Sequence, residues 1–123
     1  MAAPAFAAAD LQLLQDLAFV AAGGAYVAEA DAIATGLARL RPGAAGPAIA
    51  RALARLNAGR PDEAVTLLQA DLPGADAHEQ ALRQSFLGLA LQLAGRQAES
   101  RRVLEAASAH PAAGVARAML GQP

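Results

Sequence analysis

Gly59-Arg60-Pro61-Asp62-Glu63-Ala64 returns, at residue numbers 36 higher (59 to 95), as Gly95-Arg96-Gln97-Ala98-Glu99-Ser100. Each copy follows an alanine- and leucine-rich stretch and leads into an apolar pair, Leu67-Leu68 in one case and Val103-Leu104 in the other. Glycine readily takes the left-handed conformation that ends a helix, and an acidic residue shortly after it suits the positive end of the next helix dipole. A period in the mid-thirties made of such elements marks stacked helix-turn-helix pairs, each too small to bury its apolar face alone.

Outward from this repeat, apolar residues keep helical spacing along nearly the whole chain. Met1 to Ala9 reads as a flexible leader. A first helix from Asp10, its expected N-cap, to about Ala22 carries Leu11, Leu14, Leu17, Ala18 and Ala21 on one face and stops at Gly23-Gly24. A second, from about Tyr26 to Leu40, carries Ala30, Ile33, Leu37 and Leu40 and ends before Arg41-Pro42-Gly43, where proline cannot continue the ladder. Tyr26 is expected to pack between helices. A third helix runs to Ala58 with Ile49, Ala52, Leu53 and Leu56 on one stripe and Arg51 and Arg55 on another. Pro61 suits the first turn of a fourth helix, which reaches about Ala70. Asp76 and Glu79 form a capping-box pattern that starts a fifth helix near Ala77 and carries it to about Ala94. That helix is apolar on two sides, Leu87, Ala90, Leu91 and Ala94 on one and Leu82, Phe86, Leu89 and Leu93 on the other. A helix with two apolar faces is either buried all round or holds a ligand. A sixth helix, about Gln97 to Ala109, ends at His110-Pro111, and a short seventh carries Val115, Met119 and Leu120.

Composition narrows the function. At 123 residues the chain is one domain, and a net charge of -1 with scattered acids and bases gives no basic stripe for nucleic acid. Alanine, roughly 30 per cent of the residues, lets helices approach closely. All ten basic residues are arginine, a usage that a GC-rich bacterial genome would produce. Without lysine or cysteine there is no phosphate-loop lysine, Schiff base, thiol nucleophile or thiolate metal site. The chain has no uncharged apolar run long enough to span a bilayer, and its first residues lack the positive region of a secretory signal. A cytoplasmic protein without membrane insertion is expected. His78-Glu79 lacks the second histidine of a zinc-protease motif, because Leu82 stands four places on, and Ser85, Ser100 and Ser108 lie in no nucleophile-elbow frame. The reading is of a protein without catalytic residues, metal or cofactor.

Leu87-Gly88, Ala90, Gly95, Glu99, Leu104, Ala107 and Pro111, with Gly59, Asp62, Glu63, Ala64 and Leu68 in the preceding unit and Glu29-Ala30, Leu37 and Pro42 in the first, resemble the tetratricopeptide repeat family. The resemblance implies an all-α fold, an α-solenoid of three helix-turn-helix repeats (10–43, 45–75 and 76–111) closed by a capping helix at 112–120. Arg51 and Arg55 depart from it, standing where apolar residues would be expected. In size, repeat number and texture the chain is further similar to the small repeat chaperones of type III secretion, in particular the needle-subunit group.

That family lines its concave surface with the first helix of each pair. Carried over, the partner-facing residues would be Phe19 in the first unit, Ile49, Leu53, Leu56 and Asn57 in the second, and Leu82, Phe86, Leu89, Gln92 and Leu93 in the third. For the Ile49, Leu53, Leu56 stripe ordinary core packing is favoured over the groove, because Arg51 and Arg55 would otherwise point inward. A mostly apolar groove suits the greasy face of an amphipathic helix rather than a C-terminal carboxylate, which would need lysine, arginine and asparagine. The expected function is a chaperone that shields such a helix of a needle or translocator subunit before export, with a second small helical co-chaperone left open. A general scaffold or adaptor repeat protein with another partner is the alternative.

Overall fold

Three turns of left-handed backbone, at Ala25 (φ 60°), Gly59 (76°) and Gly95 (79°), fold the chain into consecutive helix pairs. The computed structural model describes residues 7–111 and 114–121, and over these it is helical with no strand. The elements are α1 (Ala8–Gly23), α2 (Val27–Leu40), α3 (Gly46–Asn57), α4 (Pro61–Gln69), α5 (Ala77–Leu93), α6 (Gln97–Ala107) and α7 (Gly114–Met119). At the first turn alanine stands where the other two pairs have glycine, a left-handed conformation that costs an L-residue roughly 1 kcal/mol. The same step in residue number, 34 from Ala25 to Gly59 and 36 from Gly59 to Gly95, relates buried Ala30, Ala64 and Ser100 at the start of each second helix.

Helix ends fall within two residues of expectation, with one correction at the start. Helix α1 begins at Ala8, inside the stretch read as a leader, and Asp10 lies in its first turn rather than at its N-cap. There its carboxylate accepts the Ala7 N–H at 3.3 Å. Residues 1–6 of that leader, and 112–113 of the cap, lie outside the described residues, as does the side chain of Val115. The capping box at α5 forms by half. Asp76 Oδ1 accepts the Glu79 N–H at 2.9 Å, but Glu79 turns its carboxylate across to the Ala45 N–H, 2.7 Å away at the N-cap of α3. The residue expected to close its own helix thus ties two pairs together and satisfies a donor that α3 leaves unpaired.

Each helix packs on its neighbours in the chain from α1 to α7, and α7 covers both α5 and α6. In addition α1 touches α3 and α3 touches α5, whereas α2, α4 and α6 do not touch one another. The first helices of the pairs therefore form an inner layer and the second helices an outer one. The main core lies between α3, α4 and α5, built from Ile49, Ala52, Ala64, Val65, Leu68, Leu87, Ala90 and Leu91. It is small-grained: Leu37, Leu68, Leu91 and Val65 are among the largest side chains fully out of solvent. Close approach takes the place of bulk. At Gly88 a methyl group would collide with the Leu104 side chain, and Ser100 Oγ donates to the Gly88 carbonyl at 2.7 Å, so α6 rests directly on the α5 backbone. Ala18 and Ala52, the corresponding residues of the other pairs, are likewise buried.

Candidate protein-binding surface

The inner layer carries most of the residues read as partner-facing, with different degrees of access. Leu53, Leu56, Leu82 and Phe86 are half-buried and pack together around the main core. Leu89, on the next turn of α5, is also half-buried, while Leu93 at its end is 58% exposed. Phe19 on α1 is exposed at 36%. Phe86, Leu89 and Leu93 are thus not sealed beneath the protein's own side chains.

Three assignments change. Ile49 is sealed, at 4% exposure, within the core of α3, α4 and α5, so it cannot meet a partner. Its corresponding residues Gln15 and Ser85 are also buried, which makes this a packing position in every pair. Asn57 is exposed, but its amide nitrogen donates to the Ala22 carbonyl at 2.8 Å and fastens the end of α3 to α1. Gln92 lines a small polar cleft of about 160 Å³ with Gln97, Arg101, Met119 and Leu120, on the side where α6 and α7 meet α5.

Arg51 and Arg55 are neither core nor groove residues. Both point toward α2 and converge on Asp31: Arg55 Nη1 and Nη2 reach Oδ1 and Oδ2 at 2.8 and 2.7 Å, and Arg51 Nε reaches Oδ1 at 3.1 Å. Arg55 Nη1 also donates to the Arg51 carbonyl at 3.0 Å. The bidentate Arg55 pairing holds the Asp31 carboxyl below its ordinary range, against the opposing effect of partial burial and with help from Arg51. The same contact keeps the Arg55 guanidinium more firmly protonated. The departure from apolar residues in α3 is therefore matched by an acid in α2, a partner two helices' worth of sequence away.

The recurring Gly-Arg-x-x-Glu stretch also has a local role. Arg60 and Glu63 approach to 3.7 Å, and Arg96 and Glu99 to 2.8 Å, each pair straddling the first turn of a second helix. Ser85 Oγ and Ser100 Oγ donate to backbone carbonyls, of Ala81 and Gly88 respectively, which is structural use of a hydroxyl. His78 and His110 meet edge to face with ring centroids 6.2 Å apart. Among the described residues no group of three histidine, aspartate or glutamate side chains gathers as a metal set, and no helix is long and apolar enough to cross a membrane.

A second surface escaped the sequence reading. Leu13, Leu17 and Val20 on α1, and Tyr26 and Leu40 by α2, are exposed, and Leu17, Val20, Ala21, Tyr26, Glu29 and Ile33 line an apolar cleft of about 380 Å³. Tyr26 is 62% exposed, its ring lying over Gly24 rather than between helices. The period contains the missed signal. Leu13, Leu17 and Val20 correspond to Pro47, Arg51 and Ala54, which face α2, and to Arg83, Leu87 and Ala90 on α5, where Leu87 and Ala90 join α4 in the core. Helical spacing alone marks a stripe as apolar without saying whether anything covers it.

Compared with known proteins, the chain matches no protein-family model, no curated protein and no solved structure.

Proposed function

We propose that this chain is a non-catalytic, protein-binding module of the tetratricopeptide repeat type, which holds an amphipathic helix of a partner along its inner layer. The observation that carries the reading is the line of half-open apolar side chains Leu53, Leu56, Leu82, Phe86 and Leu89, running out to exposed Leu93 on two helices that lie side by side. The pairwise packing, with first helices touching first helices and α7 closing the last pair, is the arrangement that stacked repeats require. Three or four apolar anchors entering such a surface contribute about 1.5–3 kcal/mol each before ordering costs, which suffices for stable capture.

The partner class that this surface suits is a subunit whose amphipathic helix would otherwise polymerise or insert into a membrane. An export-bound subunit of the type III needle or translocator kind fits, and covering its helix would keep it monomeric in the cytoplasm until use. The proposed test is fluorescence titration with synthetic amphipathic peptides carrying apolar anchors at i, i+4 and i+7. Leu89→Glu and Leu93→Glu should each weaken binding at least about tenfold with unchanged far-UV circular dichroism. Undiminished binding by both variants would remove the inner layer as the site.

A further inference from the structure

We infer that the outer face of the first helix pair is a self-association surface, on which a second copy of this chain pairs about a two-fold axis. This face, on α1 and α2, lies apart from the Leu53 to Leu93 line on α3 and α5 and does not depend on the function proposed for that line.

Four observations converge. The first is extent. Leu13, Leu17, Val20, Tyr26 and Leu40 are exposed to 58%, 45%, 71%, 62% and 44%, and with partly open Ile33 they present one patch across both helices. Such fractions amount to about 500 Å² of apolar surface, at the upper end of what a lone protein shows. A stable pair buries about 800 Å² a side, of which roughly three-fifths is apolar, so this patch has the size of one half-interface.

The second is register. The residues at these positions in α3 and α5 receive the second helix of the preceding pair, so the face is shaped to accept a helix laid across it. Among the described residues nothing covers it.

The third is Gly36. It sits in the middle of α2, and a methyl group there would meet nothing within 4 Å. A mid-helix glycine weakens a helix relative to alanine, and nothing inside this chain requires one. It lies on the same side of α2 as Glu29, Ile33 and Leu40, where it would let another helix come close. An antiparallel crossing that seats Ile33 of one copy on Gly36 of the other places Glu29 beside the last turn of the facing α2, well away from Glu29 of the second copy. The one carboxylate in the cleft then does not face its own image.

The fourth is symmetry. Head-to-tail stacking would need the free side of α6, but α7 occupies it, with Ala116, Met119 and Leu120 packed on Leu104 and Ala107. Between copies of this chain, the first pair therefore meets its like, and an isologous contact closes at two copies.

Sedimentation equilibrium of the full chain over a concentration series tests this. The wild type should show reversible dimerisation. Val20→Arg and Gly36→Arg, both at exposed positions where arginine keeps helicity, should each weaken it at least about tenfold, while Leu93→Arg on the inner layer leaves it unchanged. A wild type that stays monomeric to its solubility limit would overturn the inference, as would variants at Val20 and Gly36 that dimerise as the wild type does. Dissociation by Leu93→Arg alone would also overturn it, by placing the contact on the inner layer.

Discussion

The two junctions between successive helix pairs solve one packing problem in opposite ways. Where α4 meets α5 the contact is apolar, with Leu68, Leu87, Ala90 and Leu91 in one continuous core. Where α2 meets α3 the position corresponding to Leu87 is Arg51, and the contact is bound by Asp31 with Arg51 and Arg55. Apolar packing is non-directional and proportional to the area removed from water, so it stabilises without fixing a partner. A bidentate ion pair adds little net stability against a hydrophobic isostere, yet leaves a costly orphan if any other helix takes the place of α2. The α2–α3 junction thus selects its neighbour, and the α4–α5 junction contributes the greater part of the stability.

The sharpest way to break the contrast is at Leu68, fully buried in the apolar junction. Leu68→Ala should cost about 3 kcal/mol, combining the lost transfer energy with a cavity that a core of alanines cannot collapse to fill. Urea unfolding with an unchanged m-value is the measurement. A loss below about 1 kcal/mol would show that the apolar junction is not the main source of stability.

Next in size is Asp31→Ala, which takes the shared carboxylate from two partly buried guanidinium groups, leaving Arg55 with Glu63 at 3.8 Å and the Arg51 carbonyl, and should cost about 2 kcal/mol. Its pH signature separates it from any cavity. The Asp31 carboxyl has a folded value below its unfolded one, so its stabilisation is present above the ordinary aspartate pKa and fades as pH falls through the lower, folded value. Stability of the wild type should therefore fall more steeply than that of Asp31→Ala on acidification below about pH 4. Parallel profiles would mean the pair adds nothing to folding.

What the residues disclosed in advance follows the same divide between local and distant causes. Helix number and the stops at Gly59, Gly95 and Pro42 are written in neighbouring residues, because caps and turns act within a few positions. The ends came within two residues for that reason. The Asp31 pairing was not legible: Arg51 and Arg55 stood out as charges in an apolar register, but their acid lies 20 and 24 residues upstream on another helix. Ile49 could be read either to the groove or to the core, since a stripe fixes a helix face but not what lies over it. Glu79 shows the limit most plainly. Its spacing from Asp76 obeys the capping-box rule, and still its carboxylate goes to Ala45, a donor 34 residues away.

The smallest predicted effect probes how the work is divided within the polar junction. Arg55 is the more enclosed arginine, with 12% of its side chain exposed against 35% for Arg51, and it holds both carboxylate oxygens. Arg51→Leu keeps that bidentate pair and installs the side chain that α5 uses at the corresponding position. The loss of one partly solvated bond and the gain of apolar contact with α2 should nearly cancel, changing stability by no more than about 0.5 kcal/mol. Arg55→Leu leaves Asp31 with only the Arg51 bond and should cost about 2 kcal/mol. If the two losses proved equal, the carboxylate would have to be shared evenly, and the junction would be a network in which no arginine can be exchanged for leucine without losing the rest.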